Sequence, residues 1–501
     1  MRPLVLALIA SVAVPALAFG QTPNAAVSAA DAYYKAGEAA LAKQMAVVPN
    51  TGKAKNVILF LGDGMGISTV TAGRIYDGQQ KGVDGESNSL AFEKLPYSAL
   101  SKTYSHDTQV TDSAAGITAI MTGVKTRNKI IGLTGAAIGG QCETEKGTGV
   151  DTLAELAKAR GKAAGVVTTT RVTHATPAGA YAHTAYRDWE GDADMPAKAR
   201  EAGCKDIARQ LIEASDALRL DVVMGGGRSR FLPKGQGDGK RADGRDLSAE
   251  WLKAEGQGAS YVTTADQLKA IPAGTKHVLG LFAAEHLPYE VERAALGQGV
   301  PTLAQMATSA VDVLSKNPNG YFLLVEGGKI DMGSHLNNAK RTLTETVEFS
   351  KAIEAVLAKV DLKDTLVVVT ADHSHGLVIS GYAARNAPIL GLAGNEGEPI
   401  RGGDGKPYTT LMFATGPGGP KGSDTRRDPT KEDSEDPEYL QDAAVSLPSA
   451  AHGGEDVGVF AAGPQAFLVR GVVEESYIFQ VMRHAFGFDG KAGAAAAKKK
   501  R

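Results

Sequence analysis

Short apolar runs rich in β-branched residues alternate with stretches of helical spacing along most of this chain. The apolar runs lie at residues 57–61, 164–168, 222–224, 278–282, 321–325 and 366–370, and helical spacing is found at 152–159, 206–214 and 342–360. Such runs are typical of strands buried on both faces of a parallel sheet. The pattern predicts an α/β fold with a large, doubly wound, mostly parallel central sheet flanked by helices. Ligands of such sheets bind beyond the carboxyl ends of the strands.

A chain of 501 residues is long enough for one very large α/β domain or two smaller ones. Two segments interrupt the alternation. Residues 225–258 are polar and Gly-rich, which predicts a surface excursion, and residues 391–449 are rich in Gly, Pro and charge, which predicts a surface insertion. The last residues, 491–501, form a low-complexity basic segment that we interpret as a solvated tail.

The first 20 residues have the pattern of a secretory signal peptide. Arg2 precedes an apolar run at residues 4–18 that ends in Ala-Leu-Ala. A membrane anchor is the alternative interpretation, but Pro15 interrupts the run and polar residues follow it at 21–24. We therefore expect an exported protein, periplasmic or extracellular, with no membrane anchor.

The charge balance limits the possible partners. A formal net charge of -2 argues against a broad basic surface for nucleic acid, so no nucleic-acid partner is expected. An anionic ligand would have to be held by local positive charge, which metal ions could supply.

The chain has two cysteines, Cys142 and Cys204. An exported protein meets an oxidising compartment, and the absence of a CxxC spacing favours one disulfide that closes a long loop. The alternative is a pair of unpaired thiols in the core, because sequence alone does not bring the two Cα atoms within bridging range.

Acidic and imidazole side chains gather at the predicted strand ends. Asp63 lies in a Gly-Asp-Gly turn after the first strand, and Glu326 follows another strand. The other candidate ligands are Asp331, His335, Asp372, His373 and His452. Carboxylate together with imidazole suits zinc, whereas oxygen ligands alone suit magnesium. Any one of these histidines alone would more often be structural, and Asp63 alone could cap a helix, but their convergence at strand ends predicts a metal centre.

Ser113, in the segment VTDSAAG, is the candidate nucleophile. A serine at a helix N-terminus faces unpaired N–H groups and a positive dipole, which favour an alkoxide or a phosphate. The alternative is that Asp112 and Ser113 only cap the helix. A neighbouring metal ion would favour the first interpretation, because it lowers the pKa of the hydroxyl.

Six motifs follow one another along the chain: GDGMG, VTDSAAGITAIMTG, THATPAGAYAHTAYR, VEGGKIDMGSH, TADHSH and AHGGEDVGVFA. In wording and order they resemble the alkaline phosphatases, and the animal branch more closely than the enterobacterial one. The resemblance covers nearly all of the chain after the expected signal peptide. It implies a single catalytic domain over residues 21–490 and a homodimeric hydrolase of small phosphate monoesters. For such an enzyme we expect a phosphoserine intermediate and, because metal ions replace a general acid, an alkaline pH optimum.

The resemblance also implies two zinc ions, one magnesium ion and a set of ligands. The first zinc would be held by Asp331, His335 and His452, the second by Asp63, Asp372, His373 and Ser113, and the magnesium by Asp63, Thr176 and Glu326. Arg187 would clamp the phosphate through its planar guanidinium group. Cys142 and Cys204 match a disulfide of the animal enzymes.

Some positions depart from the commonest patterns of the family. Met332 stands where other members have a lysine or a histidine near the phosphate. His174 agrees with the animal branch, so magnesium binding beside it would be weaker or open to zinc. Residues 376–450 match the variable crown region only loosely, so substrate preference does not carry over.

Two competing functions remain at this point. A phosphodiesterase or a sulfatase could share the fold and the metals, but the sequence has no CxPxR sulfatase signature and Arg187 favours a dianionic monoester. A secreted metal- or phosphate-binding protein could keep the ligands without turnover, and the presence of Ser113 argues against it.

Overall fold

The computed structural model describes residues 29–489, apart from 294, 298, 396–397 and 423–425. The predicted signal peptide and the predicted basic tail lie outside the described residues. Within the described ranges, no helix is both long enough and apolar enough to cross a membrane.

The chain divides into two units after Val48. The described part of the first unit contains the helix Ala32–Met45. Asp31 caps this helix, because its carboxylate accepts hydrogen bonds from the backbone N–H groups of Tyr33 and Tyr34. The second unit begins at Pro49 and contains all of the sheet.

Seventeen strands are found in the described residues of the second unit. They are β1 (Asn56–Leu61), β2 (Tyr97–Lys102), β3 (Ala163–Arg171), β4 (Val222–Gly226), β5 (Ala259–Val262), β6 (His277–Leu281), β7 (Tyr321–Glu326), β8 (Thr365–Thr370), β9 (Ser374–His375), β10 (Leu377–Ile379), β11 (Gly394–Asn395), β12 (Glu398–Pro399), β13 (Leu411–Gly416), β14 (Ala443–Ser446), β15 (His452–Gly453), β16 (Val457–Ala462) and β17 (Val472–Glu474). Ten of them form one sheet in the order β17-β2-β16-β8-β1-β7-β3-β4-β6-β5. Only β16 runs antiparallel to its neighbours among these ten strands, so the predicted, mostly parallel sheet is confirmed.

Helices cover both faces of the sheet. They are Ile67–Gln80, Ser113–Thr122, Leu153–Lys158, Ala175–Ala178, Ala197–Glu201, Ile207–Glu213, Leu247–Glu255, Ala265–Lys269, Glu290–Arg293, Leu303–Leu314, Lys329–His335, Ala339–Leu357 and Glu475–Ala485, with short 3₁₀ turns at Ala91–Lys94, Cys142–Thr144, Asp192–Asp194, Arg228–Arg230, Pro429–Lys431 and Ala466–Leu468. Successive residues of a strand point to opposite faces. Along β1, Val57 and Leu59 therefore belong to one apolar core, and Ile58 and Phe60 to another. This explains why the strand is an unbroken apolar run.

The centre of the sheet determines where a ligand can bind. Strands β8, β1, β7 and β3 are consecutive and parallel, so their carboxyl ends meet at one edge. The register places Leu61 level with both Glu326 and Thr370, and Thr168 level with Glu326. Chain that leaves any of these four strands therefore enters the same crevice.

All six predicted strands are present, but strands at both sides of the sheet were not predicted. These are β2, β5, β16 and β17, and they are short or carry small and polar residues such as Ser98, Ser101 and Gly458, which have weak strand preference. Residues 225–258, predicted as a surface excursion, also contain the helix Leu247–Glu255. That helix buries Leu247 and Trp251, four residues apart on one face.

The predicted insertion has regular structure of its own. Strands β10, β13 and β14 form a three-stranded sheet, and β11 pairs with β12. Leu377, Leu411 and Phe413 pack with Ile75 and Leu343 in a third apolar core. The insertion is thus anchored to the helices of the main sheet.

The two cysteines form a disulfide. The Cα atoms of Cys142 and Cys204 lie 5.9 Å apart, within bridging range. The bridge joins the loop after the Ser113 helix to the segment that follows Arg187 in the chain.

Phe349 tests the contribution of the core beneath the carboxyl ends of the central strands. Its ring is fully buried and makes an edge contact with Phe60 and a tilted one with Phe92. We expect Phe349→Ala to lower the free energy of unfolding by about 3–5 kcal/mol, because it removes buried surface and leaves a cavity. Chemical denaturation monitored by circular dichroism measures this change. Tyr382→Ala, at a residue that is 79% exposed, is the matched control; a loss for Phe349→Ala as small as the control's would contradict the prediction.

Candidate metal centre

Asp63 enters the crevice from the turn after β1. Gly64 follows it with φ +67°, a left-handed conformation that suits glycine. A Cβ atom on Gly64 would lie 2.7 Å from the His375 ring and 3.1 Å from the Asp331 carboxylate. The glycine therefore lets the backbone approach the other site residues closely.

Asp372 and His373 follow β8, after the chain has left the strand. The Asp372 carboxylate accepts a hydrogen bond from the Gly64 N–H (3.3 Å). His373 Nε2 lies 3.3 Å from Asp63 Oδ1 and 3.6 Å from Asp372 Oδ2. The three side chains are fully buried, and ligand atoms of Asp63, His373 and Asp331 lie within 4.8 Å of one another, close enough to hold one metal ion.

Ser113 begins the helix Ser113–Thr122, whose N-cap is Asp112. Its Oγ atom lies 3.4 Å from Asp63 Oδ1 and 3.2 Å from His373 Nε2. The hydroxyl therefore faces the same space as the Asp63, Asp372 and His373 side chains while its backbone belongs to the first turn of a helix. The capping role is filled by Asp112, whose carboxylate accepts from the Ala115 N–H (3.1 Å).

A second group of ligands lies beside the first. The helix Lys329–His335 carries Asp331 and His335 four residues apart, on one face. His452, on β15, has its Nε2 3.2 Å from His335 Nε2 and 3.7 Å from Asp331 Oδ1. Its ring stacks on that of His373 with centroids 3.6 Å apart. The two groups of ligands are therefore in direct contact.

His375 belongs to this second group, although sequence reasoning did not select it. Its Nε2 lies 2.5 Å from Asp331 Oδ1, and it pairs with His452 across β9 and β15. A signal is present in the motif TADHSH: residues two apart on an extended segment share a side, so an extended chain turns His375 the same way as His373.

The histidines are oriented by backbone carbonyls. In three of them Nδ1 lies at hydrogen-bond distance from a carbonyl oxygen, and the pairs are His335 with Ala450 (2.6 Å), His452 with Thr111 (2.9 Å) and His373 with Ser374 (3.2 Å). With the proton on Nδ1, each ring directs the Nε2 lone pair into the centre. This is the usual arrangement of zinc-binding histidines.

A third group surrounds Glu326 at the end of β7. One carboxylate oxygen accepts hydrogen bonds from the Thr168 and Thr170 hydroxyls, the second at 3.0 Å. The ligand atoms of Asp63, His174 and Glu326 lie within 4.8 Å of one another. Sequence reasoning did not identify the two β3 threonines, because isolated threonines in an apolar strand carry no distinctive pattern.

Arg187 is hydrogen-bonded to Asp112, the residue that precedes Ser113. Its guanidinium group donates to the Asp112 carboxylate (3.0 Å) and contacts His174 Nε2 (3.2 Å). Burial acts to lower the pKa of Arg187, but the charge and hydrogen bond of Asp112, together with the charges of Asp63 and Asp188, raise it. Arg187 therefore stays protonated and holds a fixed orientation. Met332, the departure noted in the sequence, is half-buried on the ligand helix next to Asp331.

The buried carboxylates repel one another. Burial raises the pKa of Asp63 well above its usual range, and the charges of Asp331 and Glu326 raise it further. Burial and the charge of Asp63 likewise raise the pKa of Asp372. Asp331 differs, because although burial acts to raise its pKa, the neighbouring His335 and His375 hold it well below its usual range.

The arrangement fits metal ions, as the unpaired atoms indicate. Among the residues that the structure describes, several buried side-chain oxygens of this centre have no hydrogen-bond partner: Asp63 Oδ2, Thr176 Oγ1, Glu326 Oε1 and Asp372 Oδ2. Leaving such groups unsatisfied is costly, and cations would satisfy them. Mixed carboxylate and imidazole donors in the first two groups suit zinc. In the third group the oxygens of Asp63, Glu326 and Thr176 suit magnesium, and the imidazole of His174 beside them is a donor that zinc also accepts.

The comparison with known proteins agrees with this geometry. The model of the alkaline phosphatase family matches residues 54–488. An alkaline phosphatase of Gadus morhua is 45% identical over 448 residues, which cover 87% of this chain and 92% of that protein. The tissue-nonspecific alkaline phosphatase of Gallus gallus is 44% identical over 449 residues, covering 87% of this chain and 85% of that one.

Solved structures are similar over the same length. The alkaline phosphatase of the Antarctic bacterium TAB5 superimposes with a TM-score of 0.60 at 25% identity, covering 87% of this chain and 99% of that chain. The Thermus thermophilus alkaline phosphatase gives a TM-score of 0.64 at 26% identity, covering 88% and 93%. The animal sequences are thus more similar to this chain than the bacterial structures are.

The pKa of Glu326 leads to a pH-dependent stability in metal-free protein. Burial raises this pKa to about 7, although the hydrogen bonds from Thr168 and Thr170 act to lower it. The folded state then binds a proton that the unfolded state has released, so the Glu326 contribution is present at pH 4 and is lost as pH rises through 7. Between pH 4 and pH 8 the wild type should lose on the order of 2–3 kcal/mol of its free energy of unfolding through Glu326, and Glu326→Gln should not show this loss.

The measurement is urea denaturation of metal-free protein from pH 4 to pH 8, for wild type and for Glu326→Gln. The two stability curves should separate as pH rises, with the variant the more stable above pH 7. Curves that stay parallel over the whole range would contradict the raised pKa.

Proposed function

This chain belongs to the alkaline phosphatase family and is a phosphomonoester hydrolase, and from that premise we propose that Ser113 is its nucleophile at a site of two zinc ions and one magnesium ion. The support is the position of the hydroxyl: Ser113 Oγ lies between Asp63 Oδ1 (3.4 Å) and His373 Nε2 (3.2 Å) at a helix N-terminus. This single observation carries the proposal.

Each metal ion would use one of the three groups of side chains. The first zinc would be held by Asp331, His335 and His452, the second by Asp63, Asp372, His373 and Ser113, and the magnesium by Asp63, Glu326 and Thr176. The stacked rings of His373 and His452 support two closely spaced zinc sites. The unpaired oxygens of Asp63, Glu326 and Thr176 support the third site.

Bound metal would lower the pKa of the serine hydroxyl and of a water molecule, and would neutralise charge on the leaving oxygen. Ser113 attacks phosphorus in line with the departing ester oxygen, and a phosphoserine forms. The positive end of the helix dipole at Ser113 would favour the negative charge of the phosphoryl group. Water then attacks the phosphoserine, and Ser113 and phosphate are released.

Arg187 would hold the phosphoryl group throughout both steps. Its planar guanidinium can donate to two non-bridging oxygens at once. Asp112 fixes it with a hydrogen bond of 3.0 Å and also caps the Ser113 helix. One carboxylate thus sets the relative position of the nucleophile and the phosphate clamp, which is the alignment that in-line transfer needs.

Hydrolysis of a monoester distinguishes this function from its competitors. p-Nitrophenyl phosphate, bis-p-nitrophenyl phosphate and p-nitrophenyl sulfate should be compared at pH 9 with the same enzyme. We expect the monoester to be preferred, and we expect two zinc equivalents to leave with the activity on chelation and to restore it on return. A preference for the diester or the sulfate, or full activity without metal, would contradict the proposal.

Ser113→Ala tests the nucleophile directly. We expect the rate of monoester hydrolysis to fall by at least about 10³-fold, because no covalent route remains. The zinc content should change little, since the side chains of three residues still hold each zinc. Labelled phosphate trapped at low pH should appear on wild type and not on the variant; equal labelling would mean that another residue is phosphorylated.

We also propose that the protein is exported and acts as a homodimer. The support for export is the apolar run and the Ala-Leu-Ala pattern at the start of the chain, and that for the dimer is family membership. Expression with the complete N-terminus should yield protein that begins near residue 20 outside the cytoplasm. Light scattering should give twice the mass of one chain; a start at Met1 or the mass of a single chain would contradict the respective proposal.

A further inference from the structure

Asn337 has a backbone conformation that is unusual for a residue with a side chain. It lies two residues after His335, at the end of the ligand helix, with φ +56°. This left-handed region is most often occupied by glycine after a helix, and asparagine is the next most frequent choice. Asn337 is also completely buried, so its side chain, as well as its backbone, has a defined environment.

The side chain of Asn337 is held by the insertion. Its Nδ2 donates to the backbone oxygen of Thr415 (2.9 Å), and its Oδ1 accepts from the Gly418 N–H (2.9 Å). Its own backbone oxygen accepts from the Gln441 N–H (2.8 Å). A Cβ atom on Gly416 would lie 2.2 Å from Oδ1, so the neighbouring backbone leaves room for this amide.

Thr415, the partner of Asn337, also reaches the segment that carries His452. Its Oγ1 accepts a hydrogen bond from the Ala451 N–H (2.8 Å). The preceding residue, Ala450, donates its N–H to the backbone oxygen of His335 (2.9 Å) and accepts from His335 Nδ1 (2.6 Å). Strand β13, which ends at Gly416, therefore connects the helix of one ligand to the loop of another.

We propose that Asn337 is a positioning residue for the first zinc site. Its side chain bonds the end of the helix Lys329–His335 to strand β13 and the residues after it, and so fixes His335 relative to His452. The inference rests on the proposed zinc centre and assigns a role there to the insertion. Glycine would permit the same backbone conformation without the two side-chain hydrogen bonds. The two segments are also joined directly, by the hydrogen bonds between His335 and Ala450. The Asn337 amide adds a second connection through Thr415, which bonds to Ala451 next to His452.

Asn337→Gly separates the two roles, because it keeps the backbone conformation and removes the amide. The holoenzyme is equilibrated with increasing concentrations of a zinc chelator, and the retained zinc is measured. We expect one zinc equivalent to be lost at about tenfold lower chelator concentration than in wild type, the usual size of an outer-shell effect on metal affinity. The other equivalent should be retained as in wild type.

Asn386→Gly is the matched control. Asn386 also has a positive φ (63°), but it is exposed and its side chain accepts from Gly85 N–H (3.3 Å), away from both ligand-bearing segments. Its zinc retention should equal that of wild type. A cobalt-substituted enzyme gives a second readout, because the visible spectrum should change for Asn337→Gly and not for Asn386→Gly.

If Asn337→Gly does not fold, Thr415→Val tests the same connection between the two ligand-bearing segments through β13. It keeps the shape of the side chain but removes the acceptor of the Ala451 N–H, so it should loosen the same zinc equivalent. Unchanged zinc retention and an unchanged cobalt spectrum in the folded variants would overturn the positioning role while leaving the phosphatase function intact. A wild-type protein that binds no zinc would instead overturn the proposed metal centre and this inference with it.

Discussion

Mutual repulsion among buried carboxylates is the constraint on which this site depends. Asp63, Asp331, Glu326 and Asp372 lie together with almost no access to water, and Arg187 is the cation whose charge acts on Asp63. Carboxylates in such surroundings must bind protons or cations. At Asp331 the neighbouring histidines offset part of the negative charge and lower its pKa. In the proposed centre divalent ions would complete the cluster, and their binding would offset the free-energy cost of burying these carboxylates.

The sheet is what forces these groups together. Four parallel strands end level with one another, so that Asp63, Glu326 and Asp372 arrive from sequence positions far apart without a long loop. Small residues then permit the close approach: a Cβ atom on Gly116 would lie 2.9 Å from Cβ of Asp372. The Ser113 helix can rest against the Asp372 segment for this reason, and the hydroxyl reaches the centre from a rigid element.

Much of this was predictable, because a parallel sheet leaves strong local signals. The six central strands are apolar runs, and polar residues directly after them, such as Asp63 and Asp372, stand out. Side strands such as β2 were missed because they alternate small and polar residues. His375 was missed because its two-residue spacing from His373 was not used, and Thr168 and Thr170 because threonine is common in strands. Asn337 acts through contacts with β13 that depend on tertiary structure, and no sequence pattern reports those.

The single reversed strand of the large sheet has a consequence for the timing of assembly. Because β16 runs opposite to its neighbours, it starts at the edge where β8 finishes, and His452, which precedes it, reaches the crevice from the far end of the chain. The first ligand, Asp63, is synthesised almost 400 residues earlier. A nascent chain therefore lacks one member of the proposed trio Asp331, His335 and His452 until nearly all of it has been made. Loading of that site would follow translation, and a protein truncated before residue 452 would lack the trio even if its central strands had already paired.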